Sequence, residues 1–248
     1  MKLLLVSVAL IALALPTTAQ TVSPAVQAAL ADAARPQADK DRDAARHPGE
    51  LLAFAGIKPG DKVADFIMGG GYFTRILAKT VGPNGRVYAY QPAEFIKFKA
   101  QYGEDQKAVA AAYPNITPSS DSLGAFAFPE PLDAVITVQN YHDLHLAMAP
   151  PTLAGAAAKK LYDSLKPGGV LLVVDHVAAA DPGFAAPQKL HRIDPAAARA
   201  EIEKAGFRIE GSLPLLANAA DPHTASVFDP SIRGKTDQFI YKFRKPKK

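Results

Sequence analysis

Three consecutive glycines, Gly69-Gly70-Gly71, sit between a short apolar run and a helix-period stripe, and they constrain this chain more than any other stretch. Upstream, Pro59-Gly60-Asp61 forms a turn, and Val63-Ala64-Asp65-Phe66-Ile67 fits a buried parallel strand. Downstream, Phe73, Ile76, Leu77 and Val81 repeat at helical spacing. Gly82-Pro83-Asn84-Gly85 then turns the chain into a second strand, Arg86-Val87-Tyr88-Ala89-Tyr90. Strand, glycine turn, helix and strand make a βαβ unit. Its glycine turn lets a ligand approach the backbone, and the helix beyond offers unpaired N–H groups.

Spacing narrows the ligand. A dinucleotide fingerprint needs a third glycine, and Thr74 stands there; the lysine and hydroxyl of a phosphate loop are absent too. An acidic residue ending the strand, with glycines four to six positions on, resembles motif I of class I S-adenosylmethionine-dependent methyltransferases. The resemblance implies that Asp65, Gly69, Gly70, Gly71 and the adjoining Tyr72 hold the cofactor, the acid and the glycine backbone at its methionine end. Two positions depart from the family pattern. Ile67 replaces a usual glycine, and Gln91 replaces the acid that bonds the ribose hydroxyls. A neutral amide still reaches a hydroxyl, without the strength of a charged acceptor.

Residues 20–47 form an N-terminal arm, partly helical and loosely attached, with a weak amphipathic stretch over 24–34. A helix starting at Pro48 and ending at Gly56 precedes the first strand. In the family such a helix covers the cofactor, which makes Arg46, His47 and Glu50 lid candidates; a solvated charged face accounts for them equally. After Gln91 the pattern predicts a helix over 93–112 with Phe95, Phe98 and Tyr102 inward, then a short strand at Ile116. In the loop that follows, the resemblance gives Asp121 to the adenine amino group.

Leu132–Val138 reads as the fourth strand, followed by Gln139-Asn140-Tyr141-His142-Asp143-Leu144-His145. Ligands of open α/β sheets lie outside the carboxyl ends of strands where strand order reverses. The resemblance puts this cluster beside the transferable methyl group, with Asn140 toward the cofactor and Tyr141, His142 and Asp143 as catalytic candidates. His142 has a near-neutral reference pKa and Asp143 could orient it as a general base; the same residues would also serve as a polar cap for the next helix. A helix over 153–165 is stopped by Lys166-Pro167-Gly168-Gly169 and leads into the buried strand Val170–Val174, with Asp175 and His176 at its end. Asp194-Pro195 starts another helix, Phe207–Glu210 and Phe239–Phe243 alternate as strands, and Pro214–Lys235 is a long irregular loop placed to fold over the pocket.

"LKPGGVLLVVDH" is a signature of the methyltransferase fold. "GGGYFT", "NYHDLH" and "GKTDQFIYKFRKP" are similar to a bacterial group of exported predicted methyltransferases. The implied architecture over 48–248 is a Rossmann-like α/β fold: a seven-stranded, mostly parallel sheet, helices on both faces and an antiparallel last strand. The implied activity is methyl transfer from S-adenosylmethionine to an unknown, small-molecule acceptor. The alternative is an exported, non-catalytic ligand-binding protein on the same scaffold.

Residues 1–19 have the Lys2 start, apolar Leu3–Leu15 run and small-residue end of a cleaved secretory signal, so the expected location is periplasmic, with no stable membrane insertion after cleavage. The absence of cysteine excludes disulfides, thiolate catalysis and cysteine metal sites. The net charge of +4 is concentrated in the closing Lys242–Lys248 tail, a solvated end and not a nucleic-acid site. His142-x-x-His145 with Asp143 has metal-ligand spacing, with Asp175, His176 or His223 as a third ligand, but no HExxH pattern accompanies it, and no metal is expected. A serine-hydrolase elbow is absent.

Overall fold

The computed structural model describes residues 21–147, 149–181 and 184–247. The expected signal peptide lies outside the described residues. In chain order the elements are α1 (Pro24–Leu30), α2 (Gln37–Lys40), α3 (Asp43–Arg46), α4 (Pro48–Ala55), β1 (Lys62–Phe66), α5 (Tyr72–Val81), β2 (Arg86–Tyr90), α6 (Ala93–Phe98), α7 (Gln101–Ala112), β3 (Ile116–Ser119) and β4 (Leu132–Val138). A 3-10 turn (His142–His145) follows, then α8 (Leu153–Ser164), β5 (Leu165–His176), α9 (Ala185–Leu190), α10 (Pro195–Lys204), β6 (Arg208–Ser212) and β7 (Gln238–Arg244).

The strands form one sheet in the order β3-β2-β1-β4-β5-β7-β6. Neighbours from β3 to β5 are parallel, and β7 runs antiparallel to both β5 and β6. This is the expected seven-stranded α/β architecture. Strand period two sends Val63, Ile136, Leu172, Val174 and Ile240 to one face, where they pack with Val26, Leu51, Ile76, Leu77 and Val109 of α1, α4, α5 and α7. Ala64, Phe66, Val135, Leu171, Val173 and Phe243 point the other way, against Ala157 and Leu161 of α8 and Ala198 and Ile202 of α10. β1 and β4 are adjacent, yet the chain leaves them toward opposite ends of the sheet. Their carboxyl ends therefore open a crevice at the switch point.

Three local expectations need correction. The helix over 93–112 is two helices, because Lys99 is extended (φ −143°, ψ 101°). The break takes Phe98 off the inward stripe and leaves it 85% exposed. The segment Lys166–Gly169 does not merely stop α8: it belongs to β5, where the register with β4 shifts between Leu132 and Ala134 and Gly168 takes φ +82°. The N-terminal arm is fastened, not loose. Val26 and Ala29 are fully buried, Gln27–Ala31 closes α1 by a backbone bond, and Leu30 and Val22 abut Gly49 of α4.

The long loop between β6 and β7 is irregular but pinned. Arg192 is fully buried and its guanidinium donates to both oxygens of Asp221 (2.7 and 3.1 Å). Asp221 also accepts from the backbone N–H of Asp237 (2.7 Å). Among the described residues no helix is long and apolar enough to cross a membrane.

Candidate functional site

At the end of β1 the Asp65 side chain is buried on the α5 face, and its Oδ2 accepts from the Thr74 hydroxyl (2.6 Å). Burial pushes its carboxyl up to about 6, against the opposing pull of the Thr74 hydrogen bond and the Arg46 charge. The chain then turns through Ile67, whose φ of +67° is an outlier for a β-branched residue. The Ile67 carbonyl accepts from Asn140 Nδ2 (2.9 Å), which also donates to Val138 O (2.8 Å), so Asn140 ties the ends of β1 and β4 together. The Ile67 side chain is buried in the second apolar cluster.

The three glycines differ in their reasons for being glycine. Gly71 caps α5 at φ +80°, and a Cβ there would meet Val109 Cγ2 at 2.7 Å and Met68 Cε at 3.2 Å. Packing alone accounts for it. Gly69 (φ +57°) borders open space, and at Gly70 a Cβ would meet only Asp105 Oδ2, at 3.7 Å. Gln91, at the end of β2, is fully buried; its Oε1 accepts from Gly69 N–H (2.8 Å), while Nε2 is buried with no partner. An unpaired buried donor beside an open glycine turn is the kind of group a ligand oxygen satisfies.

The arm closes over this turn from outside. Tyr72 donates its hydroxyl to Asp43 (2.6 Å), which is held by Arg35 through two bonds (2.6 and 2.8 Å). Arg46 lies 4.5 Å from the Tyr72 ring centroid and 5.3 Å from that of Phe73. Arg75 donates to Asp39 and to the Gly70 carbonyl (both 2.9 Å). Arg46 is thus a covering residue, whereas His47 and Glu50 pair with one another at the surface (3.3 Å).

Across the switch point, His142 is buried and held from β5. Its Nδ1 lies 2.7 Å from Asp175 Oδ1, and its backbone N–H donates to Asp175 Oδ2 (2.8 Å). Burial disfavours the imidazolium, but the charge and hydrogen bond of Asp175, with Asp143 nearby, outweigh it and hold His142 up at about 8. Asp143 sits at the other ring nitrogen, 3.3 Å from Nε2, and 3.8 Å from His191 Nδ1. The neighbouring His176 is pushed down to about 4 by burial and bonds Thr236 Oγ1 (2.7 Å).

Asp143 and His191 line a cavity of about 440 Å³ with Phe95, Phe98, Tyr102 and Phe228. A smaller one, about 230 Å³, shares Glu94, Phe95 and Asp143 and reaches Leu123 and Leu153. The Glu94 carboxylate accepts from Leu123 N–H (3.1 Å) and so holds the loop after β3.

The predicted residues fall into two groups with some exceptions. Asp65, Gly69, Gly70, Gly71, Tyr72 and Gln91 gather at the glycine turn, and His142 with Asp143 stands on the facing edge. Tyr141 is not brought to them: its ring is in the core and its hydroxyl donates to Glu201 on α10 (2.6 Å). Asp121 contributes its backbone carbonyl to Tyr90 Oη (3.1 Å), and its side chain is exposed. Asn140 is a strand tie. The orienting carboxylate of His142 is Asp175, not Asp143. His145 turns to Glu201 (3.2 Å) and stacks on Phe184. Sequence reasoning missed His191 altogether and gave no role to Thr74; Glu94, which could stand in for the ribose-bonding acid only by reaching back from its helix, instead accepts from Leu123 N–H. A histidine inside "KLHRID", just past the end of a short helix, carries no local signal of this kind.

No family model matches the chain. Over 130 residues it is 28% identical to the ubiquinone/menaquinone biosynthesis C-methyltransferase UbiE of Hydrogenovibrio crunogenus, covering 52% of this chain and 46% of that protein. The chain spans less than half the length of the curated relatives it matches. A SAM-dependent methyltransferase from Aquifex aeolicus superposes with a TM-score of 0.56 at 20% identity, over 84% of this chain and 95% of the other. This is the class I methyltransferase fold. The cyclase SpnF shares it as well, with a TM-score of 0.58 at 17% identity over 83% of this chain and 82% of its own. The fold alone therefore does not set which reaction follows.

Proposed function

We propose that this chain is an S-adenosylmethionine-dependent methyltransferase for a small acceptor with an apolar body. The observation that carries the reading is the buried, unpaired Gln91 amide N–H at a glycine turn that stays open at Gly69; a cavity walled by Phe95, Phe98, Tyr102 and Phe228 supplies room for the acceptor. These residues fit the cofactor: Gln91 Nε2 supplies a donor for a ribose oxygen, the Gly69–Gly70 backbone admits close approach, and Asp65 supplies a buried carboxylate for a cationic end. When bound, the cofactor supplies an electrophilic methyl group on a sulfonium. The protein's own work is alignment, with the acceptor held by the aromatic walls and its reacting atom set toward the β1 end. Asp143 faces the cavity directly, and His142 stands behind it, fixed by Asp175.

Isothermal titration of the full chain with S-adenosylhomocysteine tests this reading. Binding of one equivalent, with a raised melting midpoint, is expected; no heat and no shift overturn it. Gly70→Ala is the matched probe, because the alanine fits the free protein yet narrows the approach. It is expected to weaken S-adenosylhomocysteine by about 10-fold or more.

A second reading, ligand binding without turnover on this scaffold, is favoured by Ile67. A branched side chain at positive φ occupies the position of a usual glycine, and the Gln91 side-chain Oε1 already accepts from Gly69 N–H. S-adenosylhomocysteine binding with no methyl transfer to any of a panel of phenols, quinols and amines would select it. We also propose that the chain works outside the cytoplasm, supported by the basic start, the apolar run and the small-residue end of residues 1–19. Cell fractionation with N-terminal sequencing of the mature chain tests this, and an intact Met1 in the cytoplasm overturns it.

A further inference from the structure

We propose that His142, Asp143 and His191 form a binding site for one divalent transition-metal ion in the wall of the larger cavity. One ligand atom from each lies within 4.8 Å of the others, with Nε2 of His142 and Nδ1 of His191 beside Asp143 Oδ1. The Asp143 Oδ1 distances are 3.3 Å to His142 and 3.8 Å to His191. Atoms bound at about 2.0–2.2 Å to a common ion stand roughly 3–4 Å apart, so the set closes on an ion with a small movement of the half-exposed His191 ring.

The surroundings point the same way. A ligating histidine commonly donates its second ring N–H to a carboxylate, which fixes the tautomer and leaves the other lone pair free for metal. Asp175 does this for His142 at 2.7 Å, and it is itself immobilised: fully buried, it accepts from the backbone N–H groups of His142 (2.8 Å) and His176 (2.7 Å). An acid–base pair alone would use Asp175 and His142, with no need for Asp143 and His191 at the other nitrogen. His191 is placed by the left-handed turn that ends α9 (φ +52°) and by Phe228 packed edge-on at 4.8 Å. Two imidazoles and one carboxylate suit zinc, iron, cobalt, nickel or copper better than magnesium or calcium, which favour all-oxygen shells.

Three protein ligands leave positions open, and Asp143 and His191 both line the cavity. The open positions take water or an oxygen donor of a molecule entering there, a hydroxyl, enolate or carboxylate. The site stands independently of S-adenosylmethionine binding, and with an ion in place His142 is a ligand and not a base.

The test uses full-length protein purified without nickel resin and stripped with chelator, titrated with Co²⁺ alone. One ion per chain is expected, with visible ligand-field absorption. Asp143→Asn and His191→Gln are expected to weaken Co²⁺ by at least about 10-fold each. Asp175→Asn, a positioning change, is expected to weaken it by about 10–100-fold. His145→Gln, whose ring is turned to Glu201 and Phe184, should bind as wild type. Circular dichroism confirms that each variant is folded. For a readout free of mutation, Cu²⁺-loaded wild type should show superhyperfine coupling to two imidazole nitrogens in electron paramagnetic resonance. No Co²⁺ binding by wild type, undiminished binding by both Asp143→Asn and His191→Gln, or a copper spectrum without coordinated nitrogen overturns the proposal.

Discussion

On the β1–β2 side of the switch point, the groups that face a ligand are backbone and amide: Gly69 N–H bonded to Gln91, an open turn, and one buried carboxylate. The α1–α3 arm covers that side with cationic side chains over Tyr72. On the β4–β5 side the groups are side chains that ionise: His142 held between Asp175 and Asp143, His191 beside Asp143, and His176 with its ring bonded to Thr236. One side offers shape and the other offers charge and exchangeable protons. Steric changes should accordingly be felt on the first side and electrostatic ones on the second.

Asp175→Ala should have the largest effect, because it leaves the buried His142 without its partner. Losing one member of a buried pair costs about 3–5 kcal/mol, and a chain of this size should lose roughly 10 °C of melting midpoint. A differential scanning calorimetry trace within a degree of wild type would show that the charged side is not held as described. Gly71→Val comes next, at about 2–3 kcal/mol from the Val109 clash and the positive φ, read from urea midpoints. Because its Cβ meets protein, this variant reports packing; a fully stable Gly71→Val would mean that the turn relaxes.

Asp65 gives the glycine-turn side a pH dependence of its own. Its folded-state value of about 6 lies above the ordinary 3.8, so between them the folded protein keeps a proton that the unfolded chain has released. Its contribution to stability therefore falls as pH rises from about 4 to about 6, by about 2–3 kcal/mol, and stays lost above. Asp65→Asn should remove that slope, so the wild-type-minus-variant stability should decline across the same window in urea titrations. Tyr72→Phe should cost about 1–2 kcal/mol, the loss of a hydrogen bond to the Asp43 carboxylate. Gly70→Ala should change stability least, by under about 0.5 kcal/mol, while still weakening S-adenosylhomocysteine.

The two sides also differ in how far they can be read before folding. The glycine turn, β1, α5 and β2 lie within one continuous stretch, and their apolar periods and turn residues are local properties. Even so, the open Gly69 and the packed Gly71 look alike in sequence, since the Val109 that separates them comes from α7. The histidine cluster is assembled over long separations: Asp175 reaches His142 from 33 residues away, across the β4–β5 pairing. Sequence adjacency favours Asp143 as the orienting carboxylate, and the strand register gives that position to Asp175. His191 arrives on a short helix end with no periodic signature. Phe98 shows the converse case, where an inward stripe is legible but the break at Lys99 undoes it.

The pin between Arg192, Asp221 and Asp237 has a consequence for how the cavity mouth changes over time. Asp221 and Asp237 are joined at the base of the loop, so residues 222–236 leave from a fixed clasp, with Phe228 reaching the mouth 58% exposed. Chain closure becomes costlier by only about 0.6 kcal/mol for each doubling of loop length. The segment is tied down within as well, by Arg192 Nε donating to Ala225 O (2.8 Å), Val227 N–H to Leu190 O (3.1 Å) and Thr236 at His176 (2.7 Å). It is therefore the exposed tip at 228–231 that can be exchanged or lengthened while the sheet beneath stays as it is. Descendants of such a chain would diverge in what they admit long before they diverge in how they fold.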